Sequence, residues 1–164
     1  MATSPPARSP RRFLGGLIAA GMLLAVFSPP LPAQGLAGVS LKVQPKMAKI
    51  YGAGGIQGLE SYQSGFLVSG DGHILTVWSY VLDTEFITTI LDDGRRFQAE
   101  LVGADPRLEI AILKIDAEGL DFFDRSKTEE LNVGSRILAF SNLYGVATGD
   151  EPTSVLHGVV AART

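Results

Sequence analysis

From Met47 onward the chain alternates short apolar runs with clusters of Gly, Asp and Pro. Ser64 to Ser69 and His73 to Val77 flank Gly70-Asp71-Gly72, and two strand-like runs around an Asp-Gly turn predict a β-hairpin. Phe86 to Leu91, rich in Ile and Thr, and Arg96 to Gly103 flank Asp93-Gly94 and predict a second hairpin. Asp105-Pro106-Arg107 is a turn. Glu109 to Ile115 is almost continuously apolar, which predicts a strand covered on both faces. Arg136 to Ser141 and Thr153 to Ala162 supply two further strands.

Turn signals every 8 to 14 residues without a long helical period predict an all-β sandwich or barrel. No repeat of propeller or solenoid length is visible. Asp116 to Asn132 is more polar and acidic, and reads as a surface connection with a short helix at Thr128 to Leu131. The N-terminus follows a different pattern. A basic stretch with Arg8, Arg11 and Arg12 precedes an uncharged apolar run of 15 residues, Phe13 to Phe27, followed by Pro29, Pro30, Pro32 and the small Ala33. That order predicts a secretory signal over residues 1–33 cleaved after Ala33, then a linker over 34–46. The competing reading is a retained membrane anchor, although the run is shorter than the ~20 apolar residues of a spanning helix. Arg11-Arg12 hints at twin-arginine export, but the usual spacer residue is absent.

Composition narrows the chemistry. Hydrophobic residues make up 46% and charged residues 19% of the 164, an ordinary globular balance. Three of the 14 basic side chains precede residue 34, so the remainder carries 11 bases against 17 acids, a net charge of about −6. An acidic body gives no electrostatic footprint for nucleic acid. The absence of cysteine excludes disulfides, thiol catalysis and cysteine-ligated zinc. His73 and His157 stand far apart, and each reads as a surface or strand residue rather than a ligand or base. No metal or cofactor is expected. Gly52 to Gly58 is glycine-rich but lacks the spacing and the Lys-Ser/Thr ending of a phosphate loop, so it reads as a loop entering the first hairpin.

Several segments carry more specific information in combination. They are Ser64-Gly65-Phe66-Leu67-Val68 with Asp71-Gly72-His73-Ile74-Leu75-Thr76, Asp93-Gly94-Arg95-Arg96-Phe97, and Val102-Gly103-Ala104-Asp105-Pro106 through Ile115-Asp116. Val133-Gly134, Ile137 to Asn142 with Gly145, and Gly158-Val159-Val160 follow. In this order and spacing they resemble the protease domain of the HtrA/Deg family from Met47 to Thr164. The resemblance implies a chymotrypsin/trypsin-like double β-barrel, with the first barrel complete from Met47 to about Asp116 and the second only partly present. It also implies work on misfolded protein in the periplasm or another extracytoplasmic space, homo-oligomers, and peptide-binding PDZ domains downstream.

Peptide hydrolysis by that fold needs a serine nucleophile, a histidine base and an acid that orients the histidine. The family's histidine falls in a Thr-Asn-Asn-His-Val-Val segment. The matching segment here is Thr76-Val77-Trp78-Ser79-Tyr80-Val81, so the resemblance puts Ser79 at the histidine position. Glu109 takes the aspartate position, with the charge retained on a longer arm. The segment that carries the nucleophile and the oxyanion-hole amides is expected beyond Thr164. Losing the base alone costs about a millionfold, roughly 8 kcal/mol of barrier. Trp78 and Tyr80 read as packing residues that could also line a peptide groove. No catalytic residue is therefore assigned. The expected protein is an inactive, exported HtrA-like homologue or fragment, located in the periplasm, cell envelope or outside the cell. Its expected ligand is unfolded or extended polypeptide, with membrane contact only if the N-terminal segment is retained. The alternative is a serine endopeptidase of extracytoplasmic quality control whose nucleophile lies beyond residue 164.

Overall fold

The computed structural model describes residues 35–53 and 61–163. The predicted signal segment and most of the glycine-rich loop, residues 54–60, lie outside the described residues. Helix α1 spans Leu36–Val43 and passes through a short 3-10 turn, Gln44–Lys46, into β1, Met47–Tyr51. The segment read as a linker thus carries a helix, although none of that helix's residues is buried.

Five more strands follow: β2 Tyr62–Leu67, β3 His73–Val77, β4 Ile87–Leu91, β5 Arg96–Asp105 and β6 Ile110–Lys114. They close with β1 into an antiparallel barrel in the order β1-β2-β3-β6-β5-β4. Both predicted hairpins are present. β2 meets β3 with Leu67 opposite Ile74, and β4 meets β5 with Ile90 opposite Arg96. The first turn depends on Gly72, whose φ is 97° and whose absent Cβ would lie 2.5 Å from the Ile115 carbonyl oxygen. Only glycine meets both demands at low cost.

Period-two alternation drives closure, because a barrel buries one face of each strand. Ala48, Ile50, Leu67, Ile74 and Leu113 are fully enclosed, with Leu82, Ile87, Leu91 and Ala99 around them. Each large aliphatic side chain of this kind contributes about 1.5–3 kcal/mol from burial. The same geometry corrects the expectation for Glu109 to Ile115. Ala111, Leu113 and Ile115 point inward and are buried, while Ile110 is exposed and Ile112 half-buried. The run is apolar on both faces, but the barrel wall covers only one of them.

After β6 the chain lies along the barrel without regular structure. Leu120 N donates to Gly70 O and Phe123 N to Leu67 O, and Phe123 packs edge-on against Phe66. The short helix expected at Thr128 to Leu131 does not form. Four residues make less than one complete set of helical hydrogen bonds, and Thr128, Glu129 and Glu130 are exposed, so no packing stabilises a turn there. Strands β7, Arg136–Ser141, and β8, Ser154–Val159, then form a separate two-stranded sheet with Phe140 opposite Val155. No residue in either strand is buried. The structure therefore contains a complete first barrel and part of a second sheet. Among the described residues, no helix is long and apolar enough to cross a membrane.

Candidate functional site

The β3–β6 ladder brings the two positions singled out by sequence to neighbouring strand ends. Val77 pairs with Ile110, and one step further Trp78 N donates to Glu109 O at 2.9 Å. Ser79 follows β3 immediately and caps the 3-10 turn Tyr80–Leu82, its Oγ accepting from Val81 N at 3.2 Å. Glu109 precedes β6 with φ 55°, a left-handed conformation uncommon for glutamate. Its side chain is exposed, and no hydrogen bond joins it to Ser79. The fold places the two residues close along the chain's register, but they do not form a working pair.

Ser79 is instead part of a neutral network. Its hydroxyl donates to Gln63 Oε1 at 2.5 Å. Gln63 Nε2 donates to Thr76 Oγ1 at 2.8 Å and to Val77 O at 3.0 Å. Thr76 Oγ1 donates in turn to Ser64 O at 2.8 Å. Every donor in this sequence is a hydroxyl or an amide, and it ends on a backbone carbonyl. None of these groups takes up a proton near neutral pH, so the network fixes geometry and cannot serve as a general base. Gln63 had no signal in the sequence, and Ser64 and Thr76 stand there only as members of the family segments, with no hint that they join Ser79. They belong to β2 and β3, and only the pairing of those strands shows that they meet.

A cleft of about 410 Å³ opens beside this network. Tyr62, Gln63, Ser64 and Val77 line it from the barrel, and Ser141 to Tyr144 line it from the end of β7. Among the described residues that line it there is no Asp, Glu, His, Lys or Arg. Asn142, buried, ties the two walls together: its backbone N donates to Ser64 Oγ at 2.7 Å and its Nδ2 to the Tyr51 hydroxyl at 2.8 Å. Tyr144 stands at the lip, strongly exposed, with φ 61°. Gly145 beside it fits closely against the barrel, since a Cβ there would meet the Tyr62 ring at 2.6 Å. Of the two aromatics flanking Ser79, Trp78 packs against the barrel core and Tyr80 is exposed.

The histidines lie elsewhere. His73 Nδ1 is 3.0 Å from both Ser69 Oγ and Asp71 Oδ1, in the β2–β3 turn. Ser, His and Asp are thus clustered, but both partners reach the same ring nitrogen. A proton relay needs the nucleophile on one nitrogen and the acid on the other, so the cluster is a hydrogen-bonded turn. Hydrogen bonds from Ser69 and then from His73 hold the Asp71 carboxyl at about 2. His157 is exposed on β8 opposite Leu138. Among the described residues, no group of three His, Asp or Glu side chains is placed to hold a metal ion.

Residues 63–164 match the family model described as a trypsin-like peptidase domain. Curated relatives agree, among them a probable periplasmic serine endoprotease DegP-like from Ectopseudomonas mendocina, 38% identical over 104 residues. The chain belongs to the HtrA/Deg family of trypsin-like peptidases. The same match covers 63% of this chain and 21% of that relative, so the chain spans about a fifth of the length of the curated relatives it matches. A DegP-like relative from Pseudomonas fulva is 35% identical over 73% of this chain and 24% of its own length. Among solved structures, a serine endoprotease from Yersinia pestis superposes with a TM-score of 0.68 at 26% identity, covering 80% of this chain and 46% of that one. The HtrA-type protease AlgW, solved with a tripeptide, gives 0.66 at 28% identity over 78% and 40%. For this HtrA/Deg chain the first barrel is therefore the family's own, and the network at Ser79 is set into it.

Proposed function

We propose that this HtrA/Deg-family chain is a catalytically inactive homologue that binds extended polypeptide in the cell envelope. The observation that carries the reading is Ser79. The family spacing assigns it the position from which a base would act, and its hydroxyl is committed to Gln63 and to the cap of the following turn. A serine cannot accept the nucleophile's proton near neutral pH, and the described residues lining the cleft beside it include no substitute base. The same cleft retains features that suit a peptide: the Ser141 and Tyr144 wall, the amide and hydroxyls of Gln63 and Ser64, and the apolar Val77. The envelope location is supported by the relatives' description as periplasmic and by the basic, apolar, small order of residues 1–33.

The relatives' description as serine endoproteases favours one competing reading, a peptidase that completes its site with residues beyond 164 and a base from elsewhere. The two readings separate in one experiment on the full-length protein isolated from its native envelope. Casein hydrolysis and labelling by a fluorophosphonate probe are measured together with binding of a tryptophan-free unfolded peptide, followed by the part of the tryptophan emission change that Trp78→Phe removes. The proposal expects binding without hydrolysis or labelling. Hydrolysis that disappears on Ser79→Ala would sink it, and absence of peptide binding would remove its second half.

A further inference from the structure

Residues 142–153, between β7 and β8, are attached to the barrel at several points: Ser64 Oγ accepts from Asn142 N at one end, Arg96 Nη2 donates to Thr148 O at 2.5 Å, and the remaining polar contacts come from one short stretch, Gln44 to Tyr51. Lys49 on β1 is 1% exposed, and its ammonium donates to Gly149 O at 2.6 Å and Glu151 O at 2.9 Å. Two residues further along β1, the Tyr51 hydroxyl donates to Ala147 O at 2.7 Å. Just before β1, Gln44 donates from Nε2 to Thr153 O at 2.8 Å, and its Oε1 accepts from Thr153 N at 3.0 Å and Thr153 Oγ1 at 2.7 Å. Each contact from this stretch spans roughly a hundred residues of chain.

Lys49 is unusual in this setting. Enclosing an ammonium costs several kcal/mol unless it is paired and hydrogen-bonded. An aliphatic side chain would fill the space without that cost, but it would leave the Gly149 and Glu151 carbonyls without a partner. Asp92, Asp93, Asp150 and Glu151 surround the ammonium and favour its charged form, against the burial that pushes its pKa down. A charged group enclosed at this one place on β1, with two carbonyls as its direct partners, is an attachment point for the segment above it.

We infer that residues 142–153 form a strap held against the first barrel by a clasp of Gln44, Lys49 and Tyr51, with Lys49 as its positioning residue. The strap begins with Asn142 to Tyr144, which form the far wall of the cleft, so the clasp sets where that wall stands. Release at Lys49 frees the middle of the strap while the closed barrel stays intact. The inference concerns the conformation of the chain and does not depend on what the cleft binds.

Hydrogen exchange on the full chain tests it, because strap amides near the clasp have defined acceptors: Ala147 N on Asn142 Oδ1, Gly149 N on Glu151 Oε2 and Thr153 N on Gln44 Oε1. In Lys49→Met, exchange at Ala147 and Gly149 is expected to rise roughly tenfold or more, the loss of a charge-assisted hydrogen bond, with β4 to β6 unchanged. A conservative variant separates positioning from space-filling: Lys49→Arg keeps the charge and the donors, and should restore at Ala147 and Gly149 most of the protection that Lys49→Met loses. Should Lys49→Met fail to fold, Lys49→Gln reports on the same position with a neutral donor, and Gln44→Ala probes the other end and is expected to speed exchange at Thr153 alone. Wild-type exchange at Ala147 and Gly149 in Lys49→Met or Lys49→Gln, faster exchange in Lys49→Arg than in Lys49→Met, or an equal rise in β4 to β6, overturns the inference.

Discussion

The first barrel and the β7–β8 sheet are built from similar residues and end in opposite states. Each strand of the barrel has neighbours on both sides, and its inward positions are enclosed. Among the described residues, strands β7 and β8 pair only with each other, and Ile137, Val155, Leu156 and Val159 are exposed along them. The difference is not one of strand propensity, since both regions are rich in Val, Ile and Leu. Closure is what distinguishes them: a sheet that meets itself removes both edges and covers one whole face, whereas a two-stranded ribbon leaves two edges and both faces open. In this chain, burial is a property of the ring of strands and not of any one strand's composition.

The comparison has a sharp quantitative test in truncation. Leu113→Ala removes an enclosed side chain and is expected to cost about 2–5 kcal/mol in urea unfolding. Leu156→Ala on β8 should stay within about 0.5 kcal/mol. Equal costs would mean that the second sheet is packed in solution. Ser79→Ala belongs between these extremes. It removes the cap on Val81 N and leaves Gln63 Oε1 without its donor, so a loss of about 1 kcal/mol is expected in the same unfolding assay. A stability unchanged from wild type would show that the Ser79 network carries no structural weight.

Acid unfolding probes the boundary between the barrel and the chain that follows it. Asp71, in the β2–β3 turn, and Asp124, held chiefly by Ser126 and then by Lys127, both titrate at about 2 in the folded protein. Their folded-state values lie below the ordinary 3.8, so each contributes stability above about pH 4 that is lost as pH falls towards 2. Stability measured from pH 4 to pH 2 should therefore decline, and Asp71→Asn combined with Asp124→Asn should flatten the decline. A slope unaffected by both substitutions would place the sensitivity elsewhere. The smallest effect is expected at Glu109. Glu109→Gly relieves a left-handed backbone but loosens the unfolded chain, and the net change should remain within about 1 kcal/mol. A larger loss would show that the exposed carboxylate makes a contact that matters.

The sequence was most informative where the chain reverses sharply. The turns at Gly70 to Gly72 and Asp93-Gly94 bracket alternating runs, and both hairpins follow from local rules. It misled where the argument needed to know what lies across a strand. The apolar residues from Ile110 to Ile115 gave no indication that one face would remain open. The polar stretch before Asn132 suggested a helix that no packing supports. At the site, the family spacing identified Ser79 and Glu109, but their relation could not be read from it. The Gln63 amide that holds Ser79 sits 16 residues away on another strand. The attachment of Gln44 to Thr153 spans 109 residues and involves residue types that carry no periodic signal.

The strand order has a kinetic consequence. β1 closes against β4, with Ala48 opposite Leu91, and β3 is completed only when β6 inserts between it and β5. A growing or threading chain therefore holds a meander with two raw edges until residue 114 arrives, and the ring shuts as a late, non-local event. Such topologies fold slowly, and during the delay the β3 and β5 edges can recruit stray strands. A chaperone that shields this nascent stretch would raise the yield of folded protein without altering the finished molecule.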